Sequence, residues 1–453
     1  MTGPTLTGTT RDRLTAIGLF VALMIVYNAN GREIGSYDTQ PTKFAARELL
    51  LRGTLKLNHV VGETPAYAER GGFILAADGS YRSVYSPVSS VAAAVIVWPL
   101  WRAGMIDIQA PLAPALIAKL AASVLISGAV ILAFFTARQR LSLGRALLLA
   151  IGLGLGTGFW STSSQTLWQT ATTALGLAVA VLAFAPPRPR IPAVQAVAVG
   201  IGLGLAGAAR PQVAPIVALL LAGTCVRSTR GGAIAAVSLV ALAGAVLCSL
   251  NVRWFGHPLG ALALVQDVNS QVHGTGATFG IHPEAFLGLL VSPSRGLLVF
   301  SPIVLVAAAG VRQAITDGWR SPLGWCILAL AAQYAVYGSF AVWWGGHTYG
   351  PRYLLDILPV AVPVAAAGMA RPQTGRAAKA AAAAALTWSM VVAATGAFCY
   401  PHDEWNVDPS DIDRSHARLW SVSDNQIVRC WRRGLSPQNF ALFDRAAIRR
   451  NPG

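Results

Sequence analysis

Asp38 is a carboxylate set where nearly all the neighbouring sequence is hydrocarbon-compatible. It lies in the polar stretch Asn30-Gly31-Arg32-Glu33-Ile34-Gly35-Ser36-Tyr37-Asp38-Thr39-Gln40-Pro41, directly after the first apolar segment. A carboxylate at the mouth of a membrane span can take a proton from an acceptor hydroxyl, or hold a divalent cation such as Mg or Mn through oxygen. It can also do no more than favour the start of the next helix, worth about 0.3 to 1 kcal/mol. Glu33 is the reserve acid, spaced so that it does not share a helical face with Asp38.

A second group is cationic. Arg295 stands in Ser292-Pro293-Ser294-Arg295-Gly296, Arg352 in Tyr349-Gly350-Pro351-Arg352-Tyr353 and Arg210 in Ala208-Ala209-Arg210-Pro211-Gln212, each at the end of an apolar run. A cation at bilayer depth costs about 2.5 to 3.5 kcal/mol unless it snorkels or is paired. Three such sites point either to a bound anion, lipid phosphate above all, or to three snorkelling anchors. Gly and Pro beside Arg295 and Arg352 favour the anion, because broken backbone at membrane depth is tolerated mainly where it lines a cavity. Arg82 and Lys43, in the first polar segment, are the other candidate phosphate ligands.

The third group is Trp343-Trp344-Gly345-Gly346-His347-Thr348-Tyr349-Gly350. An interfacial aromatic belt accounts for Trp343, Trp344 and Tyr349. The glycines are not belt residues; they permit tight turns beside flat aromatic faces that suit a sugar ring or an isoprenoid. His347 is read as a hydrogen-bond donor before a proton carrier. The chain has no phosphate-binding G-x-x-x-x-G-K-[ST] loop, no Cys/His metal spacing and no recognisable triad, and the Gly152 to Gly158 and Gly200 to Gly207 runs read as close helix packing.

These groups need a membrane to position them. With 54% hydrophobic and 12% charged residues among 453, the chain has more apolar surface than a soluble core can use. The net charge of +16 would suit nucleic acid in a soluble protein; here Arg falls in short loops between apolar runs, which is a topology signal and makes anionic membrane lipid the partner, with no nucleic acid. Runs near Leu14 to Asn28, Pro111 to Thr136, Ala146 to Trp160, Trp168 to Ala185, Ala193 to Ala209, Val213 to Val226, Ala233 to Val252, Gly296 to Val311, Leu323 to Phe340, Tyr353 to Ala370 and Ala380 to Tyr400 give about eleven spans. The fold expected is therefore an all-α, polytopic transmembrane bundle.

Charge bias sets its orientation. With Arg11 and Arg13 cytoplasmic and Pro87 to Trp101 lying in the interface or re-entering, every basic loop falls inside. Residues 1–400 then form the membrane domain, with a first outer loop at 29–86 and further outward segments at 161–167, 253–295 and 341–352; residues 401–453 form an extracytoplasmic tail. In the first outer loop, Pro41 to Leu51 reads as a short helix on the membrane, and Asp78-Gly79 as a hairpin-like turn. No cleavable leader is evident, so the first span is expected to stay. Cys225, Cys248 and Cys326 fall in spans. Cys399 and Cys430, both on the oxidising side, either close a loop of about 30 residues, contributing about 3 to 4 kcal/mol, or stay free thiols.

Ser36-Tyr37-Asp38 followed by the Phe44 to Gly53 helix, Val84-Tyr85-Ser86-Pro87, Ser292 to Leu297 with Phe300-Ser301-Pro302, and Trp343 to Gly346 with Gly350 to Tyr353 occur in an order that resembles the GT-C superfamily of polytopic glycosyltransferases. The likeness is to the broad group that holds the protein O-mannosyltransferases and the lipid A aminoarabinose transferases, and extends over residues 14–370; the last two motifs look like those of bacterial members of unassigned substrate. It implies transfer of a sugar, with inversion, from a polyprenyl-phosphate donor to a glycan, lipid or protein acceptor at the outer face of a bacterial inner membrane. Asp38 would be the catalytic carboxylate, acting as base, and Glu33, Tyr85, Trp343, Trp344, His347 and Tyr349 would line the substrate. Many members carry a second acid in the next outer loop; Trp160 to Trp168 has none, which bears on metal dependence. The rivals are a lipid or solute transporter, against which stands the lack of an internal repeat, and a non-catalytic lipid-binding subunit, for which the missing acid speaks.

Overall fold

The computed structural model describes residues 9–69, 72–261, 279–371 and 375–443. Gly71, residues 262–278 of the third outward segment and the first eight residues of the leader lie outside them. The chain is helical, with a single two-stranded ribbon among the described residues.

The apolar runs become helices with nearly the expected bounds: Thr10–Asn28, Ala113–Arg138, Leu143–Leu155, Gln169–Phe184, Ala193–Ala209, Ala214–Arg227, Arg230–Phe255, Pro322–Gly338, Leu358–Ala370 and Arg376–Cys399. Ala113–Arg138, Arg230–Phe255 and Arg376–Cys399 are long and apolar enough to cross a bilayer by length and composition. The others are shorter or, like Thr10–Asn28 with Arg11, Asp12 and Arg13 in its first turn, carry charge at one end. The Gly296 to Val311 run is corrected: it is not one span but a turn of helix at Leu297–Phe300, a 3-10 segment at Pro302–Ala307 and a helix at Ala308–Asp317. Pro302 cannot donate a backbone hydrogen bond, and it interrupts the run just after Ser301.

Small residues set the helix spacing. A Cβ on Gly176 would stand 2.7 Å from the Gly202 carbonyl oxygen, and one on Gly202 would stand 2.5 Å from that of Gly176. The two helices therefore meet backbone to backbone, which only glycine allows here. The two largest apolar cores among the described residues lie one around Thr10–Asn28 and Ala113–Arg138, the other around Ala193–Ala209 and Pro322–Gly338, with two smaller clusters beside them. Trp405, Ile412 and Leu419 of the tail belong to the second core.

The two ends of the bundle differ in chemistry. At one, Arg138 Nε donates to Asp12 Oδ1 at 2.7 Å, Arg145 Nη1 to the Met369 carbonyl at 2.8 Å and Arg371 Nη2 to Gln313 Oε1 at 3.2 Å, so the basic loops gather there. At the other, Lys119 Nζ donates to Asn30 Oδ1 at 3.0 Å, and the segments expected to face outward converge. The first of these folds as a 3-10 turn at Tyr37–Thr39, helices at Gln40–Arg52 and Asn58–Glu63, and a ribbon pairing Phe73–Leu75 with Tyr81–Ser83. Gln40–Arg52 buries Ala46 and Leu50 against Val88–Arg102, and Ala45 against Leu57, Val60, Val61 and Phe73, so it is packed into the bundle rather than merely resting on a surface. Cys399 and Cys430 are joined in a disulfide, with Cα atoms 5.7 Å apart.

Candidate active site

Asp38 sits in the 3-10 turn entered through Ser36, whose side chain accepts from the Asp38 amide. Thr39 opens the following helix without a side-chain cap, so Asp38 is not spent as a helix cap. Its Oδ2 instead accepts from Arg352 Nη1 at 2.7 Å, across 314 residues of sequence. Arg352 lies over the Trp168 ring at 4.6 Å and beside that of Tyr353 at 5.3 Å. The Tyr85 hydroxyl lies within hydrogen-bonding reach of Asp38. Burial alone would raise the Asp38 carboxyl, but the Arg352 charge and hydrogen bond, with Tyr85, more than offset it and hold it below the usual carboxylate range. Burial and the Asp38 charge push the Tyr85 hydroxyl up, so it stays a donor.

Trp168 is shared between Arg352 and a small cleft. Ile34 and Gly35 of the first segment form one wall, and Ser161 and Thr162 a second. His347, Thr348 and Tyr349 come from the glycine-rich loop, and Tyr400 from the start of the tail. Ser161 and Thr162 lie in a π-helical turn, Phe159–Ser163, a distortion frequent at functional sites. Gly350, at φ +70°, would place a Cβ 2.8 Å from Phe300, so no other residue turns the loop here without a shift. Thr162 Oγ1 donates to the Tyr349 carbonyl at 3.0 Å, tying the two loops together.

The other expected site residues are present but committed elsewhere. Arg295 is 1% exposed and spends its whole guanidinium on the protein. Nε donates to Trp344 O at 2.8 Å, Nη1 to Ser294 O and Gln426 Oε1, and Nη2 to Gly346 O and Asn406 Oδ1. It is a knot that holds the glycine-rich loop to the tail, with no donor left for a phosphate. Arg210 pairs with Asp356, which Tyr337 also contacts at 2.8 Å. Lys43 pairs with Glu33 at 2.6 Å, and Glu33 accepts from Thr166 as well. Arg82 pairs with Asp78 at 2.9 Å and stacks over Trp254, in a separate cleft that Tyr85 also lines. Trp343 is buried in the second core, and Trp344 Nε1 donates to Asp413 Oδ1 at 2.7 Å. The Tyr349 hydroxyl donates to Val392 O at 3.0 Å.

Several residues here escaped sequence reasoning. Trp168 begins an apolar run and looked like part of it. Gln426 accepts from Arg295 and from the Gly350 amide at 3.1 Å and donates to Thr348 O at 2.7 Å, yet nothing in its local sequence marks it. Buried Arg32 donates Nη2 to Tyr400 O at 2.7 Å. Asp403 is fully buried with no hydrogen bond of ordinary geometry to either carboxylate oxygen. Burial raises its pKa from 3.8 to about 7, against the opposing pull of Arg295, Arg429 and nearby backbone N–H groups.

The surroundings of Asp38 do not fit a divalent ion, since a guanidinium and a phenol, both donors, face its oxygens. Among the described residues, His347, Asp411 and Asp413 bring ligand atoms within 4.8 Å of one another. His347 Nε2 lies 3.0 Å from Asp411 Oδ1, which an imidazole–carboxylate pair explains without a metal.

No protein-family model and no curated protein sequence matches the chain. It is similar in structure to ArnT from Cupriavidus metallidurans bound to undecaprenyl phosphate, at 12% identity and TM-score 0.47 over 86% of this chain and 63% of that one. It is likewise similar to the archaeal oligosaccharyltransferase AglB from Archaeoglobus fulgidus, in complex with an inhibitory peptide and a dolichol-phosphate, at 11% identity and TM-score 0.44 over 91% and 60%. The chain thus spans about three fifths of the length of each.

Proposed function

We propose that this chain is a membrane glycosyltransferase that moves a sugar, with inversion, from a polyprenyl-phosphate donor to a glycan, lipid or protein acceptor at the outer face of the membrane. The observation that carries the reading is the Asp38–Arg352 pair at 2.7 Å, set beside a hydroxyl- and aromatic-lined cleft. The reaction needs both partners. The acceptor oxygen attacks the anomeric carbon while the bond from that carbon to the phosphate oxygen breaks, and the phosphate leaves with the electron pair. Asp38 takes the acceptor proton; Arg352 steadies the charge that builds on the phosphate.

The pairing also gives a sequence of events. While Asp38 holds Arg352, its carboxyl is a weak base. A donor phosphate competes for the same guanidinium, and as Arg352 is shared the carboxylate regains basicity when an acceptor needs it. The disulfide in the tail fits the oxidising side of a membrane, which supports the outward placement of this end.

Purified protein given radiolabelled undecaprenyl-phosphate sugar and an envelope extract tests the reading. Wild-type protein should transfer label, and Asp38→Asn, which keeps the shape but cannot accept a proton, should lower the rate about 10²- to 10⁴-fold with an unchanged melting temperature. Wild-type turnover in that variant would remove Asp38 as the base. Label that crosses the membrane without being transferred would replace the reading by transport.

A further inference from the structure

We infer that the tail does not stand in water: its helix Gln426–Arg433 and the turn that follows lie in the membrane interface, on a bilayer surface whose phosphates meet Arg432. The inference goes beyond the transfer reading and does not rest on it; it needs only that Arg376–Cys399 crosses the bilayer.

The first observation is where the tail touches that last helix. Trp388 and Val391 are exposed there beside buried Ser389 and Val392, so they mark the stripe that faces lipid, and Thr395 continues it one turn on. Trp431 Nε1 donates to Thr395 Oγ1 at 3.1 Å, and its ring meets the Trp388 ring edge-on with centroids 6.0 Å apart. Thr395 and Trp388 precede the helix end at Cys399 by about 6 and 16 Å, at a rise of roughly 1.5 Å per residue. Trp431 therefore reaches down the flank of a bilayer-crossing helix, below its end and on the side that lipid covers.

The second is the face that the tail leaves open. Its helix turns Ile427 and Cys430 inward, while Trp431, Leu435, Phe440 and Phe443 are each more than half exposed. The Ser436 amide donates to Phe398 O at 2.9 Å and the Phe440 amide to Asn30 O at 2.8 Å, so the segment bridges the ends of the last and first helices. Phe440 and Phe443 stack beside Gly31, where a Cβ would stand 2.7 Å from Phe440 Cα and 2.8 Å from the Phe443 ring. The first helix, just before Gly31, exposes Leu14, Ile17, Val21 and Ile25 along one stripe. An exposed apolar face marks an interaction surface, and its continuity with two lipid-facing flanks makes lipid the partner.

Charge agrees. The tail helix carries Arg429, Arg432 and Arg433 and no acid. Arg429 pairs with Asp408 and Asp424, and Arg433 with Glu404 at 3.2 Å. Among the described residues, exposed Arg432 has no ion pair. A cation beside an interfacial Trp is placed to meet lipid phosphate. Seated in this way, the tail sets the height of residues 30–38, and so of Asp38, against the headgroups.

The test places a fluorophore on Leu435→Cys or Phe443→Cys, with Arg414→Cys, exposed on the polar part of the tail, as reference. The full chain carries Cys225→Ala and Cys248→Ala, keeps its disulfide, and sits in nanodiscs of phosphatidylcholine with phosphatidylglycerol. Nitroxide-bearing lipid should quench the labels at 435 and 443 and place them about 5 to 10 Å below the headgroup boundary, while iodide quenches only the label at 414. Arg432→Glu should raise iodide quenching at 435 in these discs and not in discs of phosphatidylcholine alone. Iodide quenching at 435 and 443 equal to that at 414 would overturn the inference, since the tail then faces water. Protection from both quenchers would overturn it as well, because a second copy or another protein then covers the face. Equal behaviour of Arg432→Glu in both lipids would remove the headgroup contact. If substitution at Phe443, which abuts Gly31, disturbs the fold, the label at exposed Leu435 decides. None of these readouts involves sugar transfer, so failure of the transferase reading leaves the test intact.

Discussion

Asp403 offers the clearest quantitative test of how the tail is bound to the site. Its carboxyl is fully buried beside Arg295 and titrates at about 7, against 3.8 when exposed. Because the folded pKa is the higher one, the folded state holds the proton more tightly than the unfolded chain. Stability from this group is therefore complete below about pH 4 and is lost as pH rises through about 7. At about 1.4 kcal/mol per pKa unit, the loss between pH 5 and pH 8 is about 2.5 kcal/mol. For a chain of this size each kcal/mol moves the melting temperature by about 1 °C. Wild-type protein in detergent should thus melt about 2 to 3 °C lower at pH 8 than at pH 5 on account of Asp403, and Asp403→Asn should lack that part of the decline. The scans must share one heating rate, since a membrane protein of this size can unfold irreversibly. Parallel declines in the two proteins would refute the argument, because the burial of this carboxyl would then carry no proton linkage.

Two further outcomes follow from the same geometry. Arg352→Ala should weaken undecaprenyl-phosphate sugar use in a donor titration by roughly 10- to 100-fold, the range for loss of a charge-assisted hydrogen bond, while the melting temperature stays near that of wild type; an unchanged titration would make Arg352 an anchor only. Cys399→Ser with Cys430→Ser should lower stability by about 3 to 4 kcal/mol, and reductant should lower the wild-type melting temperature but not that of the double variant.

What the sequence reveals here depends on distance along the chain. Helices are local, and the apolar runs place most of them within a few residues, as at Ala193–Ala209. The break after Phe300 was hidden because its flanks are equally apolar, although Ser301-Pro302 was the visible cue. The acid, the arginine and the glycine-rich loop were each legible from residue type and context. Their partners were not: nothing local says that Arg352 turns to Asp38 while Arg295 turns to five protein oxygens. Both arginines look alike in sequence, flanked by Gly and Pro, and only the packed tail distinguishes them. Gln426 and Asp403 were missed for the same reason, since their roles arise entirely from where the tail folds back.

The closure of the first polar segment by the tail gives this protein a clock. The Phe440 and Leu442 amides donate to the Asn30 and Gly31 carbonyls at 2.8 and 2.7 Å, so some of the last described residues fasten the loop that leads to Asp38. Asp38 is among the first polar residues made, and the guanidinium that it needs is made 314 residues later. At about 5 to 20 residues per second, the acid waits on the order of 15 to 60 s in the growing chain before its partner exists, and longer for the residues that seal the loop. If the proposed transfer holds, a half-built chain has no assembled site during that interval with which to cleave a lipid-linked sugar to no purpose. The proposed chemistry could begin only when synthesis has reached the tail, so that the order of residues along the chain would itself be the safeguard.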